Sequence, residues 1–500
     1  MRVVFNEDWI HFLWTRYENN KDITEEVLKE FIYQYKDTQV TDFAMNVNGS
    51  VSTFPSKVLD NFCNKYRRKS ENGITVDYTN TFAKKAYEIF EEKKLDMYKI
   101  WIDALREINI KPWISIRMND CHGNEFKTDL RKSEFINENP SLWRVTHKTA
   151  DGYFDKCLNY LKKEVRDLCL AYAEETLNRY DADGLELDFT REATCFPEGF
   201  EEAGRDVMNK LMCEIKDLAE NIGRKRKHGI KIRVLVFSNP IMNYNAGLDV
   251  VTWARMGYAD EVAALPRWES IDTDIPTEIW KQLLSENTKF AAGHQLLICP
   301  YNGARATMSS IDMAFAQAAA NSARGADFVY LYNYMDIMES GLASVYNNSS
   351  VRNEKNLKMI LKNIGNAEKM KNFPRRHTLS YYDYPNYWER VSCRLPIELG
   401  ADKYFEYIRI AVGKVSEDAK VYLILGIDGN DAMSETDFEV YVNSKRVHLC
   451  KDDLLDKEIC ELTGYSFEIP EICGTFAVAG IKAFKDCVLK YAEILVEPQS

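Results

Sequence analysis

The amino-acid sequence predicts an α/β chain in which a (β/α)8 TIM barrel over residues 1–375 is followed by an all-β sandwich over residues 376–500. Three observations carry that prediction. Up to about residue 375, apolar runs of strand length alternate with segments of helical periodicity, the pattern of parallel strands joined by crossover helices. Eight such runs occur, the number that closes a barrel. Beyond "NFPRRH" the helical period is lost, and "AKVYLILGIDGND" and "DFEVYVNSKRV" alternate as the strands of a sandwich do.

Taken in order, the strands open with "RVVFN" and continue through "TDFAMNVNG" (Thr41–Gly49), "KPWISIRMND" (Lys111–Asp120), "ADGLELDF" (Ala182–Phe189) and "IKIRVLVFSNP" (Ile230–Pro240). "EVAALPRWE" (Glu261–Glu269), "HQLLICPYNG" (His294–Gly303) and "ADFVYLYNYMD" (Ala326–Asp336) complete the set. Between them, Leu158, Leu161, Val165, Leu168 and Tyr172 recur at helical steps and share one face suited to cover a sheet. "SSIDMAFAQAAANSARG" is rich in alanine and ends in a glycine fit for a C-terminal cap. The basic run "RKRKHG" reads as a helix end, where cations meet the negative pole of the dipole. A doubly wound sheet is the alternative, disfavoured because neither a G-x-G-x-x-G after the first strand nor a phosphate-binding G-x-x-x-x-G-K-[ST] is present.

Composition narrows the function classes. A net charge of −12 and a pI near 5.4 exclude an extended basic surface for nucleic acid. The 12 cysteines form no C-x-x-C pair and no tight Cys/His cluster, so reduced thiols are expected rather than a zinc knuckle or a disulfide scaffold. The start, "MRVVFNEDWIHFLW", meets charges at once, and no stretch approaches the roughly 20 apolar residues that span a bilayer. The expectation is a cytoplasmic protein with no membrane or nucleic-acid partner.

The stretch "DADGLELDFTRE" holds five carboxylates in twelve residues. If it is the fourth strand of a barrel, Leu185 and Leu187 face the helices while Glu186 and Asp188 point inward, Asp188 nearest the C-terminal mouth where barrel enzymes carry their sites. Arg191 is placed to neutralise one acid, and an inward arginine such as Arg117 is a candidate partner for Glu186. The other strand ends contribute Asn46 and Asn48; Arg117, Asn119, Asp120 and His122; Asn239; Arg267, Trp268 and Glu269; Tyr301 and Asn302; and Asp336. Amides, acids and aromatic rings are the groups that bind sugar hydroxyls and sugar faces, so the expected partner is a carbohydrate. Asp120, His122 and Asp188 are the ligands a metal-dependent hydrolase would use. With seven histidines in the chain and no H-E-x-x-H or H-x-x-x-H spacing, neither metal nor cofactor is expected. No G-x-S-x-G elbow supports a serine hydrolase.

"YDADGLELDFTRE", with "WISIRMNDCHG" before it and a β-rich tail after it, resembles the glycoside-hydrolase-like TIM-barrel proteins, which carry DG-[IL]-[ED]-L-D-[FW] on the fourth strand. The likeness covers the barrel. In α-amylase-like enzymes the fourth strand reads D-G-x-R-x-D and its last Asp is the nucleophile; Asp188 matches that place, and Glu186 stands where the Arg would be. Chitinase-like enzymes end the motif in a catalytic Glu, where this chain has Thr190. The α-galactosidase-like barrels set a nucleophilic Asp after strand four and an acid after strand six, similar to Asp188 with Glu269. The resemblance therefore implies a retaining glycoside hydrolase with Asp188 as nucleophile, Glu269 as acid/base, and Glu192 or Asp336 as substitute acids. Trp143 or Trp268 would stack on a sugar ring. A carbohydrate-binding barrel without catalysis is the rival reading, and a sugar isomerase or lyase a further one.

Overall fold

The structure, a computed structural model, describes residues 1–67, 81–124, 129–145, 153–192, 194–266, 269–335, 354–380, 395–429, 432–472 and 474–499. Eight parallel strands close on themselves in the order β1 (Arg2–Glu7), β2 (Val40–Asn46), β3 (Lys111–Arg117), β4 (Gly184–Asp188), β5 (Lys231–Phe237), β6 (Glu261–Leu265), β7 (Lys289–Gln295) and β8 (Phe328–Tyr332), with β8 pairing back onto β1. Closure leaves no free sheet edge. The outward apolar residues Phe5, Phe43, Ile114, Leu185, Leu187 and Val234 join the main core under the helix layer.

Local chemistry sets the helix limits. The helix Ile311–Ala323 starts where the Ser310 side chain accepts from Met313 N, and Gly325 follows it at φ +101°. The helix Glu201–Arg226 has acids in its first turn and Arg224, Lys225 and Arg226 in its last, and it stops at Lys227 in the left-handed region. The periodic face read from Leu158 onward begins later than the sequence suggests. Asn159 Oδ1 accepts from Leu161 N and holds a turn there, so the helix runs only over Lys163–Arg179.

The seventh strand is the main correction. It is "KFAAGHQ", Lys289–Gln295, and not the apolar run His294–Gly303. A Cβ at Gly293 would lie 1.8 Å from Leu265 Cδ2, so the large side chain comes from β6 and its neighbour must be minimal. Small residues are therefore what this strand needs, and they conceal it from a search for β-branched runs. The apolar run forms a small hairpin instead, Leu297–Ile298 against Thr307–Met308.

Charge fills the lower barrel. Arg233, 0% exposed, reaches Glu186 at 3.0 Å and Glu261 at 2.8 Å and lies 3.8 Å from the centre of the Trp113 ring. Arg2 bridges Glu261 at 2.7 Å to Asp42 at 2.9 Å, and Trp113 Nε1 donates to Asp42. Glu186 also accepts from Tyr330 and Asn6. The partner of Glu186 is thus Arg233 on the adjacent strand, not Arg117, because the register sets Glu186 beside Arg233 and Arg117 beside Asp188. Burial alone would raise the Glu261 carboxyl, yet Arg233 and Arg2 hold it down to about 2.

The C-terminal part is a sandwich. Strands Arg375–Leu379, Lys420–Asp428, Thr463–Ile469 and Cys487–Glu497 form one layer; β9 (Glu406–Ala411), β10 (Phe438–Val442) and β11 (Phe476–Ala483) form the other. Strand Lys445–Leu449 pairs with both. Ile408, Ile410, Leu423, Leu425, Val440, Phe467, Ile481 and Ile494 fill the space between them. Arg409 joins the sandwich to the barrel through Asp274 at 2.6 Å, and Ser380 Oγ accepts from Ile271 N. Among the described residues, no helix is long and apolar enough to cross a membrane.

Two buried histidines give an acid-sensitivity prediction. Burial holds His294 down to about 3, and burial with Arg375 keeps His377 well below its ordinary value. An unfolded histidine takes a proton near pH 6.5 while these do not. Their contribution to stability is therefore complete above about pH 6.5 and is lost as pH falls toward 3, with a slope approaching about 1.4 kcal/mol per pH unit for each. Urea midpoints measured at pH 7.5, 5.5 and 4.5 should fall steadily (roughly this slope), and His294→Gln should flatten the decline.

Candidate active site

The barrel mouth gathers side chains from β1, β2, β3, β4 and β8. Asp188 ends β4, 1% exposed, and both carboxylate oxygens accept hydrogen bonds. Oδ1 takes Thr190 Oγ1 at 2.6 Å and Thr190 N at 2.8 Å; Oδ2 takes the Tyr332 hydroxyl at 2.8 Å. Burial and the Asp188 carboxylate push the Tyr332 hydroxyl well above the ordinary phenol range, so it remains a donor.

From Asp188 a polar chain runs across the mouth. Arg191 Nη2 lies 3.1 Å from His122 Nε2. A guanidinium can only donate, so Nε2 accepts and Nδ1 carries the proton that points to Asp120 Oδ1 at 2.9 Å. Asp120 in turn accepts from Arg117 at 3.2 Å, and Arg117 reaches Asp8 at 2.6 Å. Burial works to raise the Asp120 carboxyl, but His122, Arg117 and Arg191 outweigh it and hold it well below the usual range. Among the described residues, the buried polar atoms without a protein hydrogen-bond partner include Arg117 Nε and Asn46 Oδ1. Such atoms are costly unless a ligand or water satisfies them.

Asp120, His122 and Glu192 have ligand-type atoms within 4.8 Å of one another. Glu192 takes the place that Asp188 was expected to fill in such a set. His122 Nδ1 lies 2.9 Å from Asp120 Oδ1 and 3.9 Å from Glu192 Oε1.

The remaining expected residues lie as follows. Asn48 clamps the end of β3 through Arg117 N and O, and Asn119 ties Leu158 and Thr194. Asn239 caps the helix Pro240–Asn245. Trp143 donates to Ile136 O beneath Lys156. Glu269, in the left-handed region, is half-buried; Gln295 accepts from its backbone N and the Cys299 thiol donates to its Oε2 at 3.1 Å. Tyr301 and Asn302 belong to the hairpin, not to a strand end, and Tyr301 packs toward the sandwich with Ile424 and Tyr491. Glu186 sits below the mouth in the ion network. Arg267, Trp268 and Asp336 lie outside the described residues. Asp8 and Tyr332 were not anticipated. Asp8 follows β1 at inward parity, a signal available by reading that strand two residues further.

No protein-family model matches this chain, and no curated protein does. Similar solved structures include a cycloisomaltooligosaccharide glucanotransferase from Paenibacillus sp., at 10% identity and TM-score 0.35, over 98% of this chain and 57% of that one. α-L-Fucosidase isoenzyme 1 from Paenibacillus thiaminolyticus matches at 11% identity and TM-score 0.36, over 96% of each chain. The PgaB (BpsB) glycoside hydrolase domain from Bordetella bronchiseptica matches at 10% identity and TM-score 0.42, over 72% of this chain and 98% of that one. Likenesses this remote assign neither a substrate nor a residue. The fold and the mouth define a TIM-barrel protein with a buried, oriented carboxylate at the end of its fourth strand.

Proposed function

We propose that the chain is a glycoside hydrolase that cleaves a glycosidic bond with retention, Asp188 acting as nucleophile and Glu269 as general acid/base. The observation that carries this reading is the placement of Asp188. A carboxyl group at the mouth end of a barrel strand, fixed by Tyr332 and Thr190, is oriented where an anomeric carbon would arrive.

In the first step Glu269, protonated, gives its proton to the leaving oxygen while Asp188 bonds to the anomeric carbon. In the second, Glu269 takes a proton from water, which displaces Asp188 from the opposite face. Two inversions leave the configuration unchanged. Proton NMR of the first product formed from an activated aryl glycoside tests this directly; an inverted hemiacetal rules out the covalent step. Affinity without turnover favours the binding-barrel reading. We also place the boundary between the two domains near residue 375.

Tyr332→Phe removes one hydrogen bond to a charged acceptor, an interaction worth about 1.5–3 kcal/mol. A fall in kcat/KM of about 10- to 100-fold is expected, together with a lowered melting temperature, because the buried Asp188 carboxylate loses a donor. Steady-state kinetics beside a thermal scan checks both halves.

A further inference from the structure

We propose that the outer face of the β9–β11–β10 sheet carries a second carbohydrate site, a trough that seats a neutral pyranose unit against Tyr407 and Tyr441. Three strands build it in register. Tyr407 on β9 and Tyr441 on β10 are the pairing partners of Gly480 on β11, one on each side. A Cβ on Gly480 would lie 2.8 Å from Tyr407 Cε1, so glycine lets that ring lie down on the sheet. Its other face is left to water: Tyr407 is 67% exposed.

The far wall is also aromatic. Phe405 meets Tyr441 at 5.9 Å between centroids and 64° between planes. The Tyr441 hydroxyl donates to Glu439 Oε1 at 3.0 Å, and the second carboxylate oxygen is left for another donor. With Val478, Asn443 and Ser444, these residues line an open trough of about 430 Å³.

The chemistry selects the occupant. Large exposed rings on a soluble surface mark a binding face. An amphipathic helix would need an aliphatic groove, but the floor here is glycine with one valine, and a carboxylate stands at the rim. A pyranose offers what fits: a C–H face for the ring and hydroxyl donors at its edge for Glu439. Arg409, two residues along β9 at the same outward parity, bonds to Asp274, which Arg324 at the C-terminal end of the helix Ile311–Ala323 also reaches at 3.3 Å, so the trough adjoins the flank of the barrel. The inference extends the carbohydrate reading of the barrel to a separate surface.

Native affinity gels cast with soluble starch, dextran, xylan or galactomannan test it on the whole chain. Retardation is expected in at least one polymer. Tyr407→Ala and Tyr441→Ala should each weaken it about tenfold, and Tyr407→Phe should keep it because the ring remains. Asp188→Asn should leave the retardation intact and Tyr407→Ala should leave aryl-glycoside turnover intact, which separates failure of this site from failure of the barrel. Unchanged retardation in both alanine variants, or none in any of the four polymers, overturns the proposal. So does a dimer in sedimentation that Tyr407→Ala dissolves, since the trough would then belong to a second copy of the chain.

Discussion

Asp188→Gly is expected to abolish turnover of an activated aryl glycoside, and added azide to restore it with a glycosyl azide of the opposite anomeric configuration. Removing the attacking group should cost more than the loss of one stabilising donor, which lowers rates by about 10²- to 10³-fold. The rescue has a geometric basis. Glycine leaves the space between Thr190 and Tyr332 that the carboxylate filled, and a small anion entering there attacks from the same face. With an activated leaving group the reaction no longer depends on the acid, so the result concerns Asp188 alone. Near-normal activity in the variant would exclude Asp188 as nucleophile and return attention to Glu186 and Glu269.

How far this site could be read from sequence depends on the residue. Glu186 and Asp188 were legible because strand parity is a local property: two residues apart means the same face, and the later one is nearer the mouth. Their environments were not. Asp188 is held by Tyr332, 144 residues away, and His122 by Arg191, 69 residues away. The first pairing exists only once the barrel closes and sets β8 across from β4, and the second once β3 and β4 pair in register. Parity likewise allowed an arginine for Glu186 but could not choose between Arg117 and Arg233, a choice made by register.

The errors have physical reasons too. Strand β7 was concealed because Leu265 occupies its share of the interior, which selects the small inward residues Ala291 and Gly293, residues with little strand character. The nearby apolar run was more conspicuous, yet its Ile298 is buried against Ile424 and Leu495 of the sandwich. Apolar content reports burial without saying which core does the burying. That displaced Tyr301 and Asn302 from the mouth to the junction between domains.

The largest effect on stability is expected from Arg233→Met. Removing one partner of a buried ion pair typically costs about 3–5 kcal/mol, because the group left behind keeps its desolvation penalty. Here two are affected: Glu186 loses its cation at 3.0 Å, Glu261 loses one of two and keeps Arg2 at 2.7 Å, and neither is more than 1% exposed. Methionine matches much of the arginine stem beside Trp113, so packing loss is minimised and the deficit measures charge. The pH dependence supplies a second signature. Glu261 is held at about 2 against an ordinary 4.5, so its contribution is complete above pH 4.5 and is lost as pH falls toward 2. In the variant only Arg2 is left to hold Glu261 down, so the depression shrinks, and the gap between wild type and Arg233→Met should be widest near neutrality and narrow below pH 4.5. Adding Glu186→Gln to the variant should recover part of the loss, since it removes one of the stranded charges. A urea midpoint within about 0.5 kcal/mol of wild type at pH 7 would mean that the ion network contributes no more than an ordinary surface contact.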